Sequence, residues 1–262
     1  PAWDQSVQLE TAFDLKENLA KGDLAGALRM GPKPGMPPFP PLFHFTILKA
    51  IGAADPVAAT LWVGWAYLAF LCFSLWGLGR HFIGPWEGLG AAVMLTCVPE
   101  VQWLQREILV DIALAAWVSA AYWALAASDG LKRKGPAALF GALFAAAMMT
   151  KWSAFSYFIP VLFVAFTAVT AGEPVGLLLA GGVAALLAGP WYLAQAPILV
   201  PRLFEAAADQ AVPIWQGGAV FSYFLQMADR LELPLFALGL VASFVPTTKK
   251  RGEDSWLLPV WF

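Results

Sequence analysis

Residues Pro56–Gly79 read PVAATLWVGWAYLAFLCFSLWGLG, 24 positions without a single charge. A hydrocarbon core about 30 Å thick is crossed by roughly 20 consecutive apolar helical residues, so this stretch predicts a transmembrane span. The rest of the sequence agrees with it. Of 262 residues, 60% are apolar and 13% are charged, and the mean hydropathy is +0.66. Soluble domains have about 45–50% apolar and ~25% charged residues, so a water-soluble domain is excluded. Thirteen Trp and 19 Phe in long apolar runs exclude a disordered chain or a coiled coil, and two cysteines cannot build a disulfide scaffold. A net charge of -2 and a pI near 5.7 exclude nucleic acid as the partner, which needs a basic surface that displaces counterions.

On either side of this stretch the same reading gives further crossings. Leu89–Leu104 carries only Glu100 and Ile108–Ser128 only Asp111, so each is expected to cross with its acid turned to protein or a wet cavity. Ala137–Ala171 is a 35-residue apolar run interrupted only by Lys151, too long for one upright crossing. Two helices meeting at Lys151 and Trp152 are expected there. Pro174–Pro201 is uncharged, and Leu233–Val245, extended upstream by Phe221–Met227, supplies a last crossing. The expected fold is therefore an all-α polytopic transmembrane bundle of about seven spans. It forms a single domain over residues 1–262, without internal repeat or linker. The chain opens on Pro1 rather than Met, and Trp256–Phe262 reads as the start of an eighth span. The sequence thus reads as a fragment at both ends.

The basic connectors are Arg80 with His81, Leu131–Lys134 (LKRK) and Lys249–Arg251 (KKR). The positive-inside bias places all three in the cytoplasm. They share one side only if residues 137–171 form two helices, and residues 1–50 then lie on the outer face. Residues 1–33 hold nine charges, while Leu9, Phe13, Ala20, Leu24 and Leu28 recur at helical spacings. That pattern predicts an amphipathic helix lying in the membrane interface. The string GPKPGMPPFPPL (Gly31–Leu42) forbids a regular helix, and a second interfacial helix is expected over Leu42–Ile51.

Charge is costly near hydrocarbon and therefore marks function. The charges expected at the outer face are Asp4, Lys33, Arg106, Glu107, Asp111, Lys151 and Arg202. An acid among several cations suits the removal of a proton from an acceptor while a phosphate leaving group is neutralised. Lys or Arg supplies that neutralisation.

Five short motifs stand in order along the chain: Trp3-Asp4-Gln5, Pro40-Pro41-Leu42, Arg106 with Asp111 (RxxxxD), Met149-Thr150-Lys151 and Pro190-Trp191-Tyr192. The series resembles membrane glycosyltransferases of the GT-C class, in particular the protein mannosyltransferases and the bacterial aminoarabinose lipid A transferases. The resemblance implies a polyprenyl-phosphate-linked sugar donor, an active site at the outer face and an essential acid in the first outer loop, a place taken by Asp4. Many relatives have Asp-Glu where this chain has Asp4-Gln5, which removes one carboxylate. Relatives often have Lys before the two prolines where this chain has Phe39, so the phosphate cation must come from elsewhere, with Lys33 the nearest candidate.

The expectation is an integral, multi-pass plasma-membrane glycosyltransferase that inverts the anomeric carbon by one displacement. Asp4 acts as the general base that deprotonates the acceptor hydroxyl, or orients that hydroxyl for attack, with Asp111 and Arg106 in support. Lys33, Lys151 and Arg202 are candidates for the donor phosphate, and Gln5 and Glu107 for the substrate. The grooves beside Pro56–Gly79 and Pro174–Pro201 are candidates for the polyprenyl tail. The acceptor is a protein, a lipid or a glycan. No cofactor or metal is expected, because two histidines without an acidic cluster make no metal site. Plainer readings stand beside these. Asp4 also reads as a helix N-cap, Asp111 as a first-turn acid with Arg106 as surface partner, and Lys151 as a snorkelling lysine. His44 reads as an interfacial aromatic, Cys72 and Cys97 as packing residues, and LLLAGGVAALL (Leu177–Leu187) as a close-packing helix face. The rival function is a non-enzymatic lipid or solute transporter, which also places isolated charges among apolar helices.

Overall fold

Proline at the first helical position, where its missing N–H has no intrahelical partner to lose, starts three of the helices. The computed structural model describes residues 3–23, 37–38, 56–107, 110–170 and 174–209. Among them the regular elements are all helical. They are α1 (Trp3–Ala20), α2 (Pro56–Phe82), α3 (Pro85–Thr96), α4 (Pro99–Leu104), α5 (Asp111–Ala127), α6 (Lys134–Met148), a 3-10 segment (Trp152–Phe158), α7 (Val161–Thr170) and α8 (Val175–Asp209). Lys33, Phe39, the proline string apart from Pro37 and Pro38, its Pro40-Pro41-Leu42, His44, the helix expected over Leu42–Ile51, Phe221–Met227, Leu233–Val245 and Lys249–Arg251 lie outside the described residues.

Among the described residues two helices are long and apolar enough to cross a membrane, over Leu61–Phe82 and Val175–Pro201, and a third crossing results if the 3-10 segment and α7, bent by 58°, count as one. Of the seven expected crossings, two or three thus stand on helices of spanning length, and the one over Leu233–Val245 lies outside the described residues. Leu89–Leu104, expected as one crossing, is two short helices. Pro99 forces Val98 into an extended conformation (φ -68, ψ 123), and the Gln102 side chain donates to the Thr96 carbonyl at 3.1 Å, closing the end of α3. α5 and α6 are apolar but have only 17 and 15 residues, about 25 and 22 Å of rise. The break expected at Lys151 and Trp152 is present. Lys151 is extended (φ -149, ψ 128), and Pro160, which cannot donate to the Ser156 carbonyl, separates the 3-10 segment from α7.

Contacts in sequence order set the helix directions. Tyr67 and Phe70 of α2 meet Trp117 of α5 with ring centroids at 6.0 and 5.1 Å, and Phe73 meets Trp123 at 5.3 Å, so α2 and α5 run parallel. α3 runs back against α2: Gly79 lies on Gly88, and Cys72 Sγ reaches the Ala92 carbonyl at 3.9 Å. Gly176 and Ala180 of α8 lie against Leu131 and Gly141, and Tyr192 against Met148, so α8 runs parallel to α6. The last turn of α2 and the LKRK loop therefore share one end of the bundle, and Asp111, Met148 and Lys151 share the other.

α5 is the centre, with twelve buried residues. Leu114, Val118, Tyr122 and Leu125 pack with Phe140 of α6, Phe158 and Val164. Large apolar side chains on the outer helices face outward, among them Phe73, Leu89, Phe166, Leu186 and Leu193, which is more apolar surface than a water-facing protein tolerates. Exposed Trp62, Trp65 and Trp103 mark the Asp111 end, and exposed Trp86 the opposite one. Trp62 to Arg80 spans about 27 Å of helix, close to a hydrocarbon core with an aromatic belt at each border.

In α1, Phe13 and Ala20 of the expected stripe point away from the protein, on a side open to a membrane interface, and a different face is turned inward. Phe13, Leu19 and Ala20 are exposed, whereas Val7, Thr11 and Ala12 are buried. Lys21 pairs with Glu17 and holds that carboxyl below its usual range, chiefly by hydrogen bonding and then by charge.

Close approach of α6 and α8 depends on Gly141. A Cβ there runs into the Ala180 backbone, which has no flexible end to move aside. Gly141→Ala is expected to destabilise the protein by about 1–3 kcal/mol, read as a lowered Tm in detergent. Gly181→Ala, where a Cβ meets nothing within 4 Å, is the matched control and leaves Tm unchanged.

Candidate functional site

At the end of the bundle marked by Trp62 and Trp103, two chain breaks bring polar groups together. The turn after α4 carries Gln105, Arg106 and Glu107 and leads to Asp111, the first residue of α5. The positive end of the α5 dipole favours a carboxylate there. From the other break, 40 positions on, Lys151 Nζ donates to Asp111 Oδ1 at 3.0 Å. The two side chains are 40% and 41% exposed. A pair so open to its surroundings contributes about 0–1 kcal/mol, which is little structural reason to keep two charges at this place.

The break around Lys151 is pinned on both sides. Tyr192 Oη of α8 donates to the Met148 carbonyl at 2.7 Å, one of the last carbonyls of α6 and hence without a helical partner. Tyr122 Oη of α5 donates to the Tyr157 carbonyl at 2.6 Å, and its ring stacks on Phe158 at 5.7 Å. Buried Thr150 returns its hydroxyl to the Ala146 carbonyl at 2.8 Å. Lys151 is thus presented from a backbone held by three helices. Gln105, 5% exposed, sits with its backbone carbonyl against Gly64, where an added Cβ would lie 2.7 Å from it, and its Oε1 has no hydrogen-bond partner among the described residues.

Of the residues singled out in the sequence, the structure joins Asp111 and Lys151 and sets Arg106 and Glu107 on the turn before them. Asp111 pairs with Lys151, not with Arg106, which is exposed. Asp4 and Gln5 lie in the first turn of α1, with side chains outside the described residues. Arg202 is on α8, ten residues beyond Tyr192, a rise of about 15 Å along the helix, and its side chain is likewise not described. The RxxxxD spacing suggests a partner for Asp111 on its own turn and misses the lysine 40 positions on. The bracing tyrosines and Gln105 escape sequence reasoning too, although Tyr192 stands in the Pro190-Trp191-Tyr192 motif. Among the described residues no three His, Cys, Asp or Glu side chains come together as a metal site. No protein-family model, curated protein or solved structure matches this chain.

Proposed function

We propose that the chain is a membrane glycosyltransferase that moves a sugar from a polyprenyl-phosphate donor to a protein, lipid or glycan acceptor at the extracytoplasmic face of the plasma membrane. The observation that supports this most is the Asp111–Lys151 pair. It is half-exposed and braced from three helices, and it lies at the end of the bundle opposite Arg80 and LKRK. In the proposed step the acceptor oxygen attacks the anomeric carbon as its proton passes to the Asp4 carboxylate. The bond from that carbon to the phosphate oxygen breaks, and the phosphate leaves with the electron pair. Lys151 offsets the charge on the departing phosphate. Asp111 holds the lysine in place, and Arg106, Glu107, Gln5, Lys33 and Arg202 complete the binding of donor and acceptor. The apolar outer faces of α2 and α8 take the polyprenyl tail.

A second reading, a lipid or solute transporter, is favoured by one observation: the 58° bend between the 3-10 segment and α7, since broken helices line the sites of many transporters. Radiolabelled polyprenyl-phosphate sugar with the purified protein separates the two. Transfer releases free polyprenyl phosphate, whereas transport carries the label across vesicles intact.

A further inference from the structure

We propose that the end of the bundle opposite the Asp111–Lys151 pair holds the headgroup of an anionic phospholipid against Arg80, Lys132, Arg133 and Lys134. Such a site requires insertion in a membrane and not sugar transfer. Parallel packing of α2 and α5 delivers two separate basic segments to this end. Phe82, in the last turn of α2, packs against the core cluster that contains Leu131, so Arg80 belongs to the same rim as the loop.

The loop is a built platform. Asp129, Gly130 and Leu131 have φ of 53, 64 and 71, a left-handed run that asparagine or glycine adopts readily and leucine does not. Two features offset that strain. The Leu131 side chain is fully buried, and its N–H donates to Ser128 Oγ at 2.9 Å while that hydroxyl donates to the Leu125 carbonyl. Arg133 Nη1 donates to the Ala127 carbonyl at 3.1 Å, closing the end of α5. Lys132, Arg133 and Lys134 are thereby exposed on a fixed backbone. Arg80 is exposed as well and lies over the Trp76 ring, 5.4 Å from its centroid.

Among the described residues four cations and two acids lie at this end, while Glu173, just before α8, lies outside them. Of the acids, Glu87 folds back over Gly84 at the start of its own helix, and Asp129 sits in the turn itself. The shared chemistry of possible ligands is a phosphate ester. Position selects the lipid. Trp86, 79% exposed, stands next to this rim with exposed Ile83 and Leu89, an aromatic and apolar surface at headgroup level. A phosphate anchored there by acyl chains reaches the cations from the bilayer border, where basic residues attract anionic lipid.

The test uses the full chain reconstituted in vesicles of phosphatidylcholine and phosphatidylglycerol in equal amounts, extracted gently and assayed for bound lipid. Wild type is expected to retain phosphatidylglycerol preferentially, and Arg80→Gln with Lys132→Gln and Lys134→Gln to lower that preference roughly tenfold. Lys132→Arg with Lys134→Arg, which keeps the charge, retains the preference and shows that the loop still folds when these side chains change. An unchanged preference in the glutamine variant overturns the proposal. Displacement of the bound lipid by millimolar inorganic phosphate also overturns it, since the site would then serve a soluble anion.

Discussion

Asp4→Asn is expected to lower sugar transfer by about 10²–10⁴-fold, the usual contribution of a positioned general base, while the protein still inserts in the membrane and keeps its Tm. An acceptor hydroxyl is a weak nucleophile, and the attack on the anomeric carbon needs its proton taken at that moment. Asn matches Asp in size and still accepts hydrogen bonds, but it cannot take up that proton. Asp4 lies in the first turn of α1, where a carboxylate also stabilises the helix by about 0.3–1 kcal/mol. Asparagine loses that charge but keeps the size and polarity of the side chain, which makes it a cleaner replacement than alanine. Rates measured on membranes with equal amounts of protein check the expectation. A variant with wild-type turnover removes Asp4 from the chemistry.

The second large effect is at Lys151. Lys151→Gln is expected to reduce kcat/KM by roughly 10- to 100-fold, the worth of about 1.5–3 kcal/mol for a hydrogen bond to a charged group. Lys151→Arg keeps most of the activity. Tm is expected to fall by little in either variant, because the pair with Asp111 is about 40% exposed on both sides and such pairs contribute about 0–1 kcal/mol. The split between a large kinetic effect and a small stability effect is the informative readout. A lysine that merely snorkels to the interface would lose no kcat/KM on replacement, and one holding the fold together would lower Tm first. Asp111→Asn tests the same contact from the other side. It leaves the cation present but unheld, so the expected loss is smaller than for Lys151→Gln.

Much of the fold is legible because membrane helices announce themselves by uncharged length. Pro56–Gly79 and Pro174–Pro201 read as apolar spans, and both long helices lie over those stretches. The break at Lys151 is legible too, since a charge in the middle of 35 apolar residues cannot sit comfortably in one straight crossing. Apolar length misleads where local breakers go unweighed. Pro99 divides Leu89–Leu104 in two, yet the stretch resembles one span because proline is tolerated in many membrane helices. In α1 the spacing gives the stripe through Phe13, which is exposed, but not the second face that packs on the protein. A helix with a protein face and an exposed face has two candidate stripes, and spacing does not say that the Val7 and Thr11 side faces inward.

The site is legible as a set of charges and not as a geometry. Asp111 and Lys151 both stand out in the sequence, but their contact is made across two helices at a separation of 40 residues, which no local pattern encodes. Local spacing favours Arg106 instead. The tyrosine braces are invisible for a related reason. A hydroxyl reaching a carbonyl at the end of another helix satisfies a backbone acceptor whose need appears only once the helix is known to stop there. Gln105 looks like an ordinary polar residue at a helix end until burial marks it.

Sidedness is what the proposed chemistry depends on most. With Cys72 and Cys97 both replaced by serine, single cysteines at Gln5→Cys, Gln102→Cys and Gly135→Cys can be probed in intact cells with a membrane-impermeant thiol reagent. The first lies beside Asp4, the second on the Asp111–Lys151 end and the third beside LKRK, where a Cβ meets nothing within 4 Å. Labelling is expected at positions 5 and 102 from outside, and at 135 only after the membrane is permeabilised. Labelling of 135 in intact cells with 5 and 102 protected would contradict an outward-facing site.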